Sequence, residues 1–154
     1  MMIYLTDYNA LCDSLRQRTE NIPYETSNLA NAAALLWEFL PDINWAGFYK
    51  MVDGQLVLGP FQGKAARVVI PVGQGVCGTA VAQDKTQRVE DVHTFRGHIA
   101  CDCASNSEIV IPLHVGGRIW GVLDMDSPVY ARFSEKDQAG LTQFVHTLEQ
   151  VLER

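Results

Sequence analysis

The sequence predicts an α+β domain, an antiparallel sheet of hairpins covered on one face by helices from the two chain ends. Three observations carry that reading. Helical spacing of apolar residues is strongest near the two termini. Between them lie short period-two apolar runs joined by the turn dipeptides Asp53-Gly54 and Gly116-Gly117. There is no linker, internal repeat or low-complexity stretch, so residues 1–154 read as a single domain.

In chain order, Thr6 can cap a first helix running to about Arg18, with Leu11 and Leu15 on one face. A second helix spans about Ser27 to Phe39. Leu29, Ala33, Leu36, Trp37 and Leu40 keep its spacing, and Pro41 ends it. Ile43–Val52 and Gln55–Gly59 form a hairpin through Asp53-Gly54, followed by a short strand at Arg67–Ile70. The glycine-rich turn 71–75 feeds a short helix, Val76–Gln83, and Gln87–Glu90 is a brief extended piece. Residues 93–107, HTFRGHIACDCASNS, have neither periodicity and read as a loop. Glu108–Val115 and Arg118–Asp126 form a second hairpin. Ser134 with Asp137 three residues on resembles a capping box. It opens a last helix whose stripe is Leu141, Phe144, Val145, Leu148, Val151 and Leu152.

Composition removes several function classes. A hydrophobic content of 47% with 19% charged residues is that of a globular protein with a proper core. A net charge of -6 without any basic run argues against a nucleic-acid partner and an anionic membrane surface. No apolar run reaches membrane-spanning length, and MMIYLTDYNA has none of the parts of a signal peptide. The expected compartment is the cytoplasm, where thiols are free, metal-bound or catalytic more often than paired in structural disulfides.

Alternation along the strands assigns faces. Trp45, Gly47 and Tyr49 share one, and Trp120, Val122, Asp124 and Asp126 share another. Ile109, Ile111, Leu113 and Val115 make an apolar face with Glu108 pointing opposite. Two aromatics and three carboxylates can therefore meet on the non-core side of the sheet. Crowded carboxylates there need a cation, a ligand ammonium or a metal. Read alone, Glu108, Asp124 and Asp126 fit better as unrelated strand-end acids in water, and Trp45 and Tyr49 as sheet packing.

Of four cysteines, Cys12 sits in an amphipathic helix as a small apolar filler. Cys77 lies at a helix N-terminus, where a lowered thiol pKa is expected. Cys101 and Cys103 stand in the loop with His93 and His98. Their spacing matches no common zinc pattern, so no metal is expected, and a redox role fits the thiols better. The loop itself reads either as a site or as a plain surface turn.

Six segments change that balance: NWAGFY at 44–49, IPVGQGVCGTA at 70–80, ED-H at 90–93, GHIACD at 97–102, SNSEIVIPL at 105–113 and GVLDMDS at 121–127. Together, in order and over nearly the whole chain, they closely resemble the free methionine-(R)-sulfoxide reductases, small enzymes of the GAF fold. The resemblance implies a roughly six-stranded antiparallel sheet and reduction of the R epimer of free methionine sulfoxide. It also implies thioredoxin as reductant, a homodimer, and no cofactor. Carried onto this sequence, it implies Cys101 as the attacking thiol and Cys77 as a further functional cysteine. It implies Glu108, Asp124 and Asp126 as substrate carboxylates, with Trp45 and Tyr49 as pocket aromatics. Two positions depart. Arg67 stands where the family usually has a third, often resolving, cysteine, and Cys103 stands where many members have a small residue.

The implied chemistry needs these residue types. A sulfoxide sulfur accepts a thiolate only when its oxygen is protonated or hydrogen-bonded, and crowded carboxyls with raised pKa can supply that proton. The oxygen leaves as water, Cys101 becomes a sulfenic acid, and a second thiol condenses with it to a disulfide. Cys77 is favoured over Cys103 for that step, because a disulfide closing on residues two apart is strained. The competing reading is a GAF module that binds a small ligand or senses redox state without turnover.

Overall fold

A computed structural model describes residues 3–97 and 104–154 of the chain. Helices α1 (Tyr8–Thr19) and α2 (Glu25–Phe39) come first. Strands β1 (Trp45–Val52), β2 (Gln55–Gly63) and β3 (Val69–Ile70) follow, then α3 (Gly75–Gln83) and β4 (Gln87–Val89). A single 3-10 turn at Val92–Thr94 precedes β5 (Ser107–Val115), β6 (Arg118–Ser127) and α4 (Glu135–Leu152). The six strands form one sheet in the order β3-β2-β1-β6-β5-β4, every neighbouring pair antiparallel. No described helix is long and apolar enough to cross a membrane.

The apolar periodicities decide which face each helix covers. Leu11 and Leu15 of α1, Leu29 and Leu36 of α2, and Leu141, Phe144 and Leu148 of α4 are buried in one cluster. They meet Ala46 and Phe48 of β1, Ile109, Ile111 and Leu113 of β5, and Leu123 and Met125 of β6. Cys12 is a buried filler of this cluster, as expected. Among the described helices, α3 is the one on the other face, in a second cluster with Trp45, Tyr49, Val110 and Val122. The capping box of α4 is formed: the Ser134 hydroxyl accepts from the Asp137 N–H, and the Asp137 carboxylate accepts from the Ser134 N–H. Asp137 also accepts from the Tyr8 hydroxyl at 2.7 Å and from the buried Arg132 at 3.1 Å, tying α1 to the start of α4.

Several sequence expectations are corrected. Asp7, not Thr6, caps α1, its carboxylate accepting from the Ala10 N–H at 3.0 Å. A carboxylate is also the better partner for the positive helix end. The second helix starts at Glu25, two residues early. β1 starts at Trp45 rather than Ile43, and β2 runs to Gly63, through the Gly59-Pro60 pair that resembles a turn. β3 is reduced to Val69–Ile70, so Arg67 precedes it, and β4 ends at Val89. The largest correction is Trp120. Leu113 pairs with Gly121 and His114 with Ile119, which leaves Trp120 as the extra residue of a β-bulge. The bulge turns Trp120 to the helix-covered face, against the first cluster, with Lys50 Nζ 5.5 Å from its ring centroid. It does not share a face with Asp124 and Asp126. Gly121 is required beside the bulge, because a Cβ there would lie 2.0 Å from the Tyr49 carbonyl oxygen.

Candidate functional site

Sheet register assembles the predicted residues on the α3 face. Glu108 of β5 pairs with Asp126 of β6, and Asp126 pairs with Trp45 of β1, so the three form one rung. On the next rung of that face Val110 pairs with Asp124, Asp124 with Gly47, and Gly47 with Phe61 of β2. Tyr49 and Val122 make the rung after that. All three acids are buried: Glu108 is 5% exposed, Asp124 4% and Asp126 6%. They are not strand-end acids in water.

The rings are fixed by packing and by hydrogen bonds. Phe61, Trp45 and Tyr49 form a continuous stack, with centroids 5.1 Å apart for Phe61–Trp45 and 5.9 Å for Trp45–Tyr49. Trp45 Nε1 donates to the Lys64 carbonyl at 3.0 Å, and the Tyr49 hydroxyl donates to the Arg67 carbonyl at 2.9 Å. Both ring donors thus hold the short crossing between β2 and β3. Gly47 leaves room for the stack: a Cβ there would fall 2.3 Å from Phe61 Cβ and 2.9 Å from the Trp45 ring. The side chain of Arg67 is exposed, and only its carbonyl takes part in this packing.

From α3, Cys77 reaches the acids. Its Sγ and one carboxylate oxygen each from Glu108 and Asp124 all lie within 4.8 Å of one another. Burial pushes the pKa of Glu108 well up, and the neighbouring Asp126 adds to the rise. Burial raises Asp124 in the same way, with Glu108 beside it. Cys77 is pushed well up too, by burial first and then by the negative fields of Asp124, Glu108 and Asp126. This reverses the expectation of a lowered thiol pKa at a helix N-terminus. A short helix supplies about half a charge at its end, and full burial beside three acids outweighs it. Cys77 is a neutral thiol, hydrogen-bonded to Asp124.

Cys101, Cys103 and His98 lie outside the described residues. Both flanks of their loop are described. Arg96 and Gly97 line a cavity of about 400 Å³ together with Gly73, Gln74 and Gly75, the turn that leads into α3 two residues before Cys77. On the far flank Ser105 is buried and exchanges hydrogen bonds with Asn44, whose backbone N–H donates to the Asp126 carbonyl at 3.0 Å. His93 is exposed and its Nδ1 lies 2.8 Å from Asp91 Oδ1, a hydrogen bond that lowers the Asp91 pKa.

Comparison with known proteins gives this geometry a lineage. The GAF domain family profile matches residues 29–153. Over 126 residues the chain is 65% identical to the free methionine-R-sulfoxide reductase of Escherichia coli, covering 82% of this chain and 76% of that one. This chain belongs to the free methionine-R-sulfoxide reductases of the GAF-domain family. Within that family, Staphylococcus aureus fRMsr, solved in complex with its substrate, superimposes with a TM-score of 0.93 at 45% identity, with 99% of each chain covered. The Neisseria meningitidis reductase, also solved with its substrate, gives 0.91 at 38% identity, covering 99% of this chain and 95% of that one.

Sequence reasoning missed three contributors to this reductase-like site: Phe61, Gly47 as a space-maker, and Asn44 as the tie between the loop flank and the acid rung. For Gly47 a cue existed, a glycine inside the bulky run WAGFY, where a strand interior ordinarily excludes it. For Phe61 the cue was masked by Gly59-Pro60, which reads as a strand end.

Proposed function

We propose that this chain reduces free L-methionine (R)-S-oxide to L-methionine, with Cys101 as the attacking thiol. The observation that carries the reading is the buried Glu108–Asp126–Trp45 rung with Asp124 beside it, under the stacked rings. Three buried carboxyl groups beside an apolar wall suit a small solute with one ammonium and one S-methyl group. The carboxylates pair with the free ammonium, which a peptide-bound residue lacks. Trp45 and Tyr49 enclose the methyl group, so the oxygen of the wrong epimer would clash.

Glu108 and Asp124 are held protonated further up the pH scale than ordinary carboxylic acids, which suits proton delivery near neutrality. The Cys101 thiolate forms a bond to the sulfoxide sulfur while the oxygen takes two protons and leaves as water. Water then attacks the Cys101 sulfur, the S–S bond breaks, and free methionine departs. The net change moves one oxygen from methionine to Cys101, leaving a sulfenic acid. Cys77 condenses with it, forming a disulfide and releasing water. The Asp124 carboxylate, hydrogen-bonded to Cys77, is placed to take the thiol proton. Cys77 is favoured over Cys103 for this pairing, because a disulfide closing on residues two apart is strained. An external dithiol, thioredoxin in a reducing cytoplasm, returns both thiols, and the working form is a homodimer. These last assignments rest on the family resemblance.

The test is incubation of the pure protein with racemic methionine sulfoxide and dithiothreitol. Consumption of one epimer, with N-acetylmethionine sulfoxide untouched, is expected. Cys101→Ser should consume nothing, and normal turnover by that variant refutes the attacking role. Full thioredoxin-dependent turnover by Cys77→Ser removes it as the resolving thiol.

A further inference from the structure

We infer that Cys77, Glu108 and Asp124 also form a binding site for one thiophilic divalent cation of the zinc type, whose occupancy excludes the free amino acid. The cation site stands on geometry, and only the exclusion rests on the reductase reading above.

One ligand atom from each residue lies within 4.8 Å of the other two, and all three residues are buried. A ligand set of one sulfur and two carboxylate oxygens suits zinc or cadmium. Magnesium and calcium take oxygen alone. Three protein ligands with a fourth position open to water is the arrangement of exchangeable zinc sites rather than closed structural ones.

A second observation points to a missing cation independently of the spacing. Among the described residues, Asp124 Oδ1 has no hydrogen-bond partner, although the residue is only 4% exposed. An orphaned polar oxygen at that depth is costly and calls for a partner that the described residues do not supply. A substrate ammonium is one such partner, but it makes no use of the Cys77 sulfur beside it. A soft cation uses both.

The framework brings the three ligands together. Glu108 and Asp124 are carried by adjacent paired strands, and Cys77 by a helix packed directly on them. Asp126, paired opposite Glu108, is positioned to orient that ligand from behind. A bound cation occupies the carboxylates that the ammonium needs and repels that ammonium. It also ties up Cys77, so turnover stops reversibly without any oxidation.

The test uses the full chain carrying Cys101→Ser and Cys103→Ser, so that the loop thiols cannot contribute. Cadmium is titrated into metal-free protein and the thiolate-to-cadmium absorption is followed. One equivalent should develop the band, and zinc should remove it. Adding Asp124→Asn should weaken binding about 10-fold or more, and adding Cys77→Ser should abolish the band while circular dichroism stays unchanged. A band that survives Cys77→Ser, or no band at stoichiometric cadmium, overturns the site. Free methionine sulfoxide should raise the cadmium concentration needed. A titration indifferent to saturating sulfoxide, with wild-type protein that turns sulfoxide over, overturns the exclusion. Cadmium binding as described in a protein that turns over nothing leaves the cation site standing and removes the reductase reading instead.

Discussion

The two faces of the sheet are made from the same strands and have opposite characters. Along β6, Leu123 and Met125 point into an apolar cluster under α1, α2 and α4, while Asp124 and Asp126 point the other way, toward α3. On β5, Ile109 and Ile111 face the helices, and Glu108 and Val110 face the site. The helix-covered face buries apolar surface, which stabilises the fold by about 25 cal/mol per Å² removed from water. The opposite face buries three acids and a thiol, groups whose charged forms burial penalises. One side supplies the stability that the other side consumes, and the division runs between adjacent residues.

Neighbours on β6 give the sharpest way to break that division. Leu123→Ala should cost about 2–5 kcal/mol of unfolding free energy, with specific activity per folded molecule retained. Asp124→Asn should cut kcat/KM by about 10²–10⁴ while raising the melting temperature, because a crowded buried acid is replaced by a neutral amide. Paired denaturant melts and sulfoxide-reduction assays measure both. A melting temperature lowered equally by the two changes would mean that the acid face is ordinary core.

The pH dependence of stability tests the same contrast at lower amplitude. Glu108 and Asp124 have folded pKa values raised above their unfolded ones, which lie at ~4. The folded state therefore binds these protons more tightly. The stability they contribute is full below ~4 and is lost as pH rises through the raised folded values. In melts across that range, Glu108→Gln should gain on the wild type as pH increases and show no advantage in acid. A constant difference at all pH values contradicts the raised acid.

Smaller still is the effect of the ring tether. Trp45→Phe keeps the stack on Phe61 but removes the Nε1 donor to the Lys64 carbonyl, a bond worth about 0.5–1.5 kcal/mol. The crossing between β2 and β3 loosens, KM for the sulfoxide rises several-fold, and discrimination between the epimers falls, with kcat little changed. Unaltered KM and selectivity would mean that the crossing takes no part in substrate binding.

What could be read from residues alone follows the same line. Much of the helix-covered face was legible, since period is local: the stripe of α4, its Ser134–Asp137 box and the Asp53-Gly54 turn appear as written, whereas the cap of α1 fell to Asp7 and Trp37 of α2 is exposed. The acids were legible as sharing a face, and their family role came from the resemblance. Their burial was not legible, because it depends on α3 folding back over the sheet from elsewhere in the chain. The thiol pKa of Cys77 was misjudged for the same reason. The local helix end was visible in the sequence, and the three acids packed against it from other strands were not. The bulge at Trp120 broke an alternation that period-two reasoning assumes to be continuous.

That bulge yields the smallest prediction. With Trp120 on the acid face, its loss would alter the site. On the helix face, half-buried against the first cluster, it has no bearing on the sulfoxide. Its Nε1 is buried without a hydrogen-bond partner among the described residues. Trp120→Phe therefore removes some packing area and an unmet donor together, two changes of opposite sign. The net effect on stability should be under ~1 kcal/mol, and KM and kcat should match wild type. Set beside Trp45→Phe, it is the same substitution on the opposite side of one sheet. A rise in KM with Trp120→Phe equal to that with Trp45→Phe would place both rings at one site and undo the face assignment made by the bulge.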